Sequence, residues 1–243
     1  MNCKRLQPNR VFGLSNVTRA CMAALALTLL AGTMAPPALA FGRVTPPITP
    51  PIITPPAGNV AYLMGNATGT QGYVCLPSGT GASWTVNSSR PQATLFVTLF
   101  GGFMQQILTH FLSPNANPNQ FAPLPVPFGS PTWQSSFDSS VIWGNKLDSF
   151  TAGGDASCPN TGAIPCLLLQ VIGSQDGPTR QFGILTNATY VQRLNTSGGS
   201  APATGCAVST DVGGQVLVPY IADYYFYLAA HQPFGHCMRL GAL

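Results

Sequence analysis

Glutamate is absent from this 243-residue sequence, and charged residues of any kind make up only 7% of it. The carboxylate pair that most glycosidases use would have to be drawn from six aspartates. Several other signatures are missing. No G-x-G-x-x-G follows a strand-like run, which removes the dinucleotide-binding fingerprint. There is no phosphate-loop pattern and no H-E-x-x-H. The nearest approach to a nucleophile elbow, "GSQDG" from Gly173, has its serine one position too early. No C-x-x-C or other paired spacing suggests zinc, so neither a metal nor a cofactor is expected. Beyond the first forty residues no apolar run is long enough to span a bilayer as a helix.

The first forty residues have the form of an export signal. Lys4, Arg5, Arg10 and Arg19 precede an apolar run from Cys21 to Ala31, and "PPALA" places small residues at Ala38 and Ala40. Cleavage after Ala40 is expected, giving a secreted or periplasmic protein. "LLAG" resembles a lipoprotein box, but Thr33 stands where the acylated cysteine belongs. The leader carries four of the ten basic residues, so the remainder has six basic and six acidic residues and no net charge. That excludes the basic patch of a nucleic-acid binder. Its surface must be made largely of Ser, Thr, Asn, Gln and Gly, which suits contact with neutral polar partners such as glycans.

Five cysteines follow the leader, Cys75, Cys158, Cys166, Cys206 and Cys237. Export favours disulfides, and the odd count leaves one thiol over. Cys158 and Cys166 flank "PNTGAIP", a short loop that a bridge can close. "TPPITPPIITPP" (45–56) is dense enough in proline to exclude helix, and residues 41–58 are expected to be an extended spacer.

From residue 59 to about 230 the chain reads as one β domain, followed by a tail at 231–243. Runs rich in β-branched and aromatic residues at 71–76, 83–86, 93–100, 103–111, 139–143, 167–172, 189–194 and 215–228 alternate with Gly, Pro, Asn and Ser. The pattern predicts an all-β antiparallel sandwich or barrel of many short strands with long Pro/Gly-rich loops. Gly101-Gly102 predicts a two-residue hairpin turn, although 103–111 also fits an amphipathic helix. The six-proline stretch 113–131 reads as a lid, a binding loop or a disordered insert.

Four regions carry candidate chemistry. His110 ends the hairpin beside the proline-rich loop, where a general base is reasonable chemistry; the plainer alternative is a histidine hydrogen-bonded within the sheet or exposed. Trp133, Phe137 and Trp143 surround Asp138, a set that suits sugar stacking when exposed and core packing when buried. Arg193, on a strand, suits either clamping a ligand carboxylate or pairing with Asp223. In "VPYIADYYFY" (218–227) alternation puts Tyr220, Ala222, Tyr224 and Phe226 on one face, the core face. Asp223, Tyr225 and Tyr227 fall on the other, with Asp223 expected to be half-buried beside Arg193 or a tyrosine hydroxyl. His231, His236 and Cys237 lie close together, but their spacing fits a tail better than a metal site.

Taken in order, "ATGTQGYVC" (67–75), "ATLF" (93–96), "HF" at His110, "SPTWQ", "DSSVIWG", "AIPCLLL" (163–169), "VQRLNTSGGSAPATGC" and "VPYIADYYFY" resemble one family of exported proteins. It is the uncharacterised family known as domain of unknown function 3455, and the resemblance covers Ala61 to Leu228. It implies a single domain with no established activity, and it implies pairing Cys75 with Cys206. This chain departs from the family pattern in three places. About twenty residues separate His110 from Trp133, Ser139-Ser140 follows Asp138, and Cys166 replaces a typical tryptophan. The resulting expectation is a non-catalytic envelope or extracellular protein that binds glycan or another neutral polar ligand. The alternative is a small hydrolase or isomerase using His110 with Asp138 or Asp223. The candidate pocket for either is His110, Trp133, Asp138, Arg193, Asp223 and Tyr225.

Overall fold

A computed structural model describes residues 44–86, 92–113, 129–178, 183–208 and 210–230. The chain divides into two units, Met1–Ala40 and Phe41–Leu243. The first unit, most of the proline-rich insert, and the tail with His231, His236 and Cys237 lie outside the described residues.

Among the described residues the second unit is an antiparallel sheet of nine strands: β1 (Asn59–Ser78), β2 (Gly81–Val86), β3 (Gln92–Thr98), β4 (Met104–Leu112), β5 (Pro131–Ser135), β6 (Val141–Phe150), β7 (Cys166–Gln175), β8 (Tyr190–Gly198) and β9 (Gln215–Ala229). Pairing runs from β1 through β3 to β9 in chain order, and β9 pairs back onto β1. The ring therefore closes on eight strands, and the fold is a barrel with no open sheet edge within the ring. β2 stands outside it, paired to the far half of β1 through Tyr73–Ser78.

Two apolar clusters lie on opposite faces of this sheet. One lies inside the barrel and includes Leu63, Ala67, Leu95, Ile107, Leu108, Trp133, Ile142, Leu169, Val191, Tyr220, Ala222, Tyr224 and Phe226. The other lies outside the wall and includes Ile53, Ala61, Leu168, Leu194, Tyr225 and Tyr227. β9 divides between them residue by residue, as its alternation predicts.

The proline-rich segment is not the free spacer expected from its composition. It lies along the outer wall, with the Val44 N–H bonded to the Ala61 carbonyl at 3.2 Å. A 3-10 turn at Pro51–Ile53 sets Ile53, 0% exposed, into the outer cluster. The Gln192 amide bonds to the Ile53 carbonyl at 2.6 Å and accepts the Tyr227 hydroxyl at 2.6 Å. Prolines keep this arm extended, and its isoleucine anchors it.

Two more expectations need correction. A strand is expected here only at 71–76, yet residues 59–70, with Gly65, Asn66 and Gly69 among them, form the first half of β1. A Cβ at Gly69 would run into the backbone of β3 at Gln92 and Ala93, so glycine allows the two strands to approach there. The hairpin between β3 and β4 is present, but its loop is longer than two residues. The strands end at Thr98 and Met104, and Gly101 and Gly102 take φ 78° and 80° inside the loop.

Both disulfides form as expected. Cys158–Cys166 closes the local loop, and Cys75–Cys206 ties β1 to the segment after β8 across 131 residues.

Candidate functional site

Strand directions define two barrel ends. One gathers the end of β4, the start of β5, the start of β7 and the end of β8, and it holds His110 and Arg193. The other gathers the end of β5 and the start of β6, and it holds Asp138.

At the first end, His110 and Trp133 are cross-strand partners on β4 and β5. Their rings stack with centroids 4.6 Å apart and planes 12° from parallel. Tyr224 of β9 closes against both, 5.5 Å from His110 and 5.9 Å from Trp133. Gly144 lies under the Trp133 six-membered ring, where any Cβ would crowd it. The Tyr224 hydroxyl meets that of Tyr220 at 3.1 Å. One proton of that pair is used between them, and the other remains for an acceptor.

Arg193 faces the same interior. It sits between Gln192 and Leu194, both directed to the outer cluster, and its cross-strand partner is Tyr224. Its Nη2 donates to the Pro165 carbonyl at 2.8 Å. Its positive charge bears on His110, Tyr73 and Tyr220. Tyr73, from β1, donates its hydroxyl to the Gly199 carbonyl at 2.7 Å. Only two buried side-chain polar atoms among the described residues lack a hydrogen-bond partner, Trp133 Nε1 and Arg193 Nε. Both are N–H donors on the inner wall.

His110 is neutral here. Its Nδ1 faces the Thr132 carbonyl at 2.8 Å, an acceptor only, so Nδ1 carries the proton and Nε2 the lone pair. Burial drives its pKa down to about 4, helped by Arg193 and opposed by the bond to Thr132. The folded-state pKa lies below the unfolded one, so stability is fully present above about pH 6.5 and is lost as pH falls toward 4. The expected loss by pH 4.5 is about 2–3 kcal/mol. Urea midpoints at pH 7 and 4.5 check this. His110→Gln should flatten the difference, and an equal difference in both proteins would show that other groups cause it.

Asp138 does not join this site. Its Oδ1 accepts the Ser140 N–H at 3.0 Å and hydroxyl at 2.7 Å, and its Oδ2 accepts the Ile184 N–H at 2.7 Å. The Ser140 hydroxyl also accepts the Leu185 N–H, and Tyr62 donates to the Ile184 carbonyl. Together they hold the 183–186 turn across the second end, with Leu185 fully buried in the core as its plug. Burial pushes the Asp138 pKa up, but the hydrogen bonds outweigh it and hold the carboxyl below its usual range.

Asp223 and Tyr225 are not in the interior either. Both project from the outer face of β9. Asp223 is half-buried as expected, but its partners are the amides of Asn66 at 2.7 Å and Asn195 at 3.2 Å, not Arg193 or a tyrosine. Leu194, not Arg193, is opposite Asp223, so parity alone puts the arginine on the other side of the wall. Trp133 and Trp143 are both buried, at 0% and 4% exposure, so neither offers a stacking face to an external glycan. Of the candidate pocket, the structure brings together His110, Trp133 and Arg193. It adds Tyr73, Tyr220 and Tyr224, which alternation had assigned to core or left unassigned. The available signal was two tyrosines four residues apart on an inward face, each needing a partner for its hydroxyl.

Fold and site thus define a closed antiparallel β-barrel with a polar and aromatic cluster at one end. The chain belongs to the family described as Protein of unknown function (DUF3455), whose model matches residues 56–228. No curated protein and no solved structure matches it.

Proposed function

We propose that the protein is an exported, non-catalytic binding protein that holds a small polar ligand at the His110 end of its barrel. One observation carries this: two buried donors, Trp133 Nε1 and Arg193 Nε, share the inner wall and find no acceptor among the described residues. A buried donor left unmade costs about 1–3 kcal/mol, so a site that keeps two is suited to a ligand that supplies acceptors. Eight-stranded barrels have the girth to hold one small molecule, and their mouths are common binding sites. Two disulfides suit an oxidising extracellular or periplasmic setting.

A hydrolase built on His110 draws less support. A relay needs the His110 N–H within reach of a carboxylate, and that N–H meets the Thr132 carbonyl instead. Asp138 is committed to the opposite end and Asp223 to the outer face. A thermal-shift screen of small polar molecules at millimolar concentration tests the proposal. Ligands that raise the melting temperature of the native protein should lose that effect in Trp133→Phe, which removes the indole donor. If no compound shifts the melt of the folded protein, the proposal fails.

A further inference from the structure

Arg193 is a buried cation without a counter-ion. It is 7% exposed, and its guanidinium carries a positive charge. All six carboxylate side chains of the chain lie among the described residues, and none is paired with it. Asp138 is held by Ser140 and Ile184, Asp155 by Ser157, Asp176 by Thr186, Asp211 by the Ala207 N–H, and Asp223 by Asn66 and Asn195. Asp148 is exposed on β6. The single bond from Arg193 to the Pro165 carbonyl satisfies one of its five N–H groups.

An uncompensated buried charge is strongly unfavourable, and it persists where function requires it or where an anion completes it. Most uncommitted groups on the same inner wall are donors: Arg193 Nε–H, Trp133 Nε1–H and one proton of the Tyr220–Tyr224 pair, with the His110 Nε2 lone pair the acceptor among them. The neutral ring of His110 adds no second positive charge. One fixed cation, several neutral donors and aromatic walls suit a singly charged organic acid better than a multiply charged phosphate.

We propose that Arg193 is the anchor of an anion site inside the barrel, and that the ligand is a small organic carboxylate. Its carboxylate pairs with the Arg193 guanidinium and accepts a hydrogen bond from a hydroxyl of the Tyr220–Tyr224 pair. This rests on the interior being the ligand site, as proposed above, and adds the charge of the ligand.

The test is calorimetric titration of the oxidised native protein with acetate and benzoate, with acetamide and benzamide as neutral isosteres, and with inorganic phosphate. Benzoate or acetate should bind, and the matching amide should bind about tenfold or more weakly. Arg193→Met should fold with unchanged or raised stability, because it removes an unpaired buried charge, yet lose carboxylate binding by about tenfold or more. Arg193→Lys, which keeps the charge without the planar fork, should fall between them. Amides binding as well as acids, with Trp133→Phe weakening both, would overturn the anion site and leave interior binding intact. Phosphate binding more tightly than either acid would overturn the carboxylate assignment. Carboxylate binding unchanged in Arg193→Met, or no binding by either acid, would overturn the proposal outright.

Discussion

Removing the Cys75–Cys206 bridge is expected to cost about 5 kcal/mol, the largest loss any single covalent change should cause. The bridge closes 131 residues, so its absence returns most of that loop-closure entropy to the unfolded chain. Native domains hold only about 5–15 kcal/mol in total, so the double variant Cys75→Ser, Cys206→Ser should be marginal at 37 °C. Backbone hydrogen bonds flank the bridge: Cys75 donates its N–H to the Gly214 carbonyl and accepts the Gly213 N–H at its own carbonyl. By contrast, Cys158–Cys166 spans 8 residues and should be worth about 2–3 kcal/mol. Urea denaturation of the two double-serine variants checks the order. Equal losses would mean that chain entropy is not the main term.

Asp138→Ala should cost about 3–5 kcal/mol and should do so without touching ligand affinity. It leaves the Ser140 and Ile184 N–H groups without their acceptor at a buried position, at about 1–3 kcal/mol each, and it loosens the 183–186 plug. Asp138→Asn should be milder, since it keeps an acceptor but sets an amide nitrogen against one of the two N–H donors. Amide hydrogen exchange at Ile184 and Leu185 should quicken in both variants while exchange in β4 and β5 stays slow. An unchanged midpoint in Asp138→Ala would return this aspartate to the list of functional candidates. The Asp138 carboxyl is held below its usual pKa, so its contribution is present above about pH 4 and is lost as pH falls further.

Much of the fold was legible in the sequence because strands advertise themselves by alternation. β9 is the clearest case, where Tyr220, Ala222, Tyr224 and Phe226 were assigned to the core face and lie in the barrel. What alternation cannot supply is pairing parity between distant strands. Arg193 and Asp223 are close along neighbouring strands, and charge alone suggests that they pair. Register places Arg193 opposite Tyr224 instead, which sends the two charges to opposite sides of one wall. His110 and Trp133 were singled out separately, and their stacking was hidden by the insert that separates them in sequence. The strand expected at 71–76 covers only part of β1, whose first half contains Gly65 and Gly69. Inside the barrel they are required, since Gly65 faces Leu95 and Ile107 at a distance that leaves a side chain little room. β5 escaped notice because it is short and begins with Pro131, a position where a strand tolerates proline. The arm was misjudged because its prolines describe its conformation, while a single isoleucine determines where it goes.

An external hollow competes with the barrel interior as a ligand site. A surface hollow of about 410 Å³ lies between β2 and the segment 201–207, beside Trp84. The indole of Trp84 already donates to the Thr204 carbonyl at 2.9 Å, so its hydrogen-bonding need is met. A two-dimensional ¹H–¹⁵N spectrum resolves the indole N–H signals of Trp84, Trp133 and Trp143 and the Arg193 Nε–H. Titration with a bound small molecule, beginning with benzoate, tests the central claim directly. The expected result is that the Trp133 indole and Arg193 Nε–H signals move together and saturate, while Trp84 stays in place. Movement of Trp84 with Trp133 and Arg193 unmoved would contradict it and put the site on the outer surface.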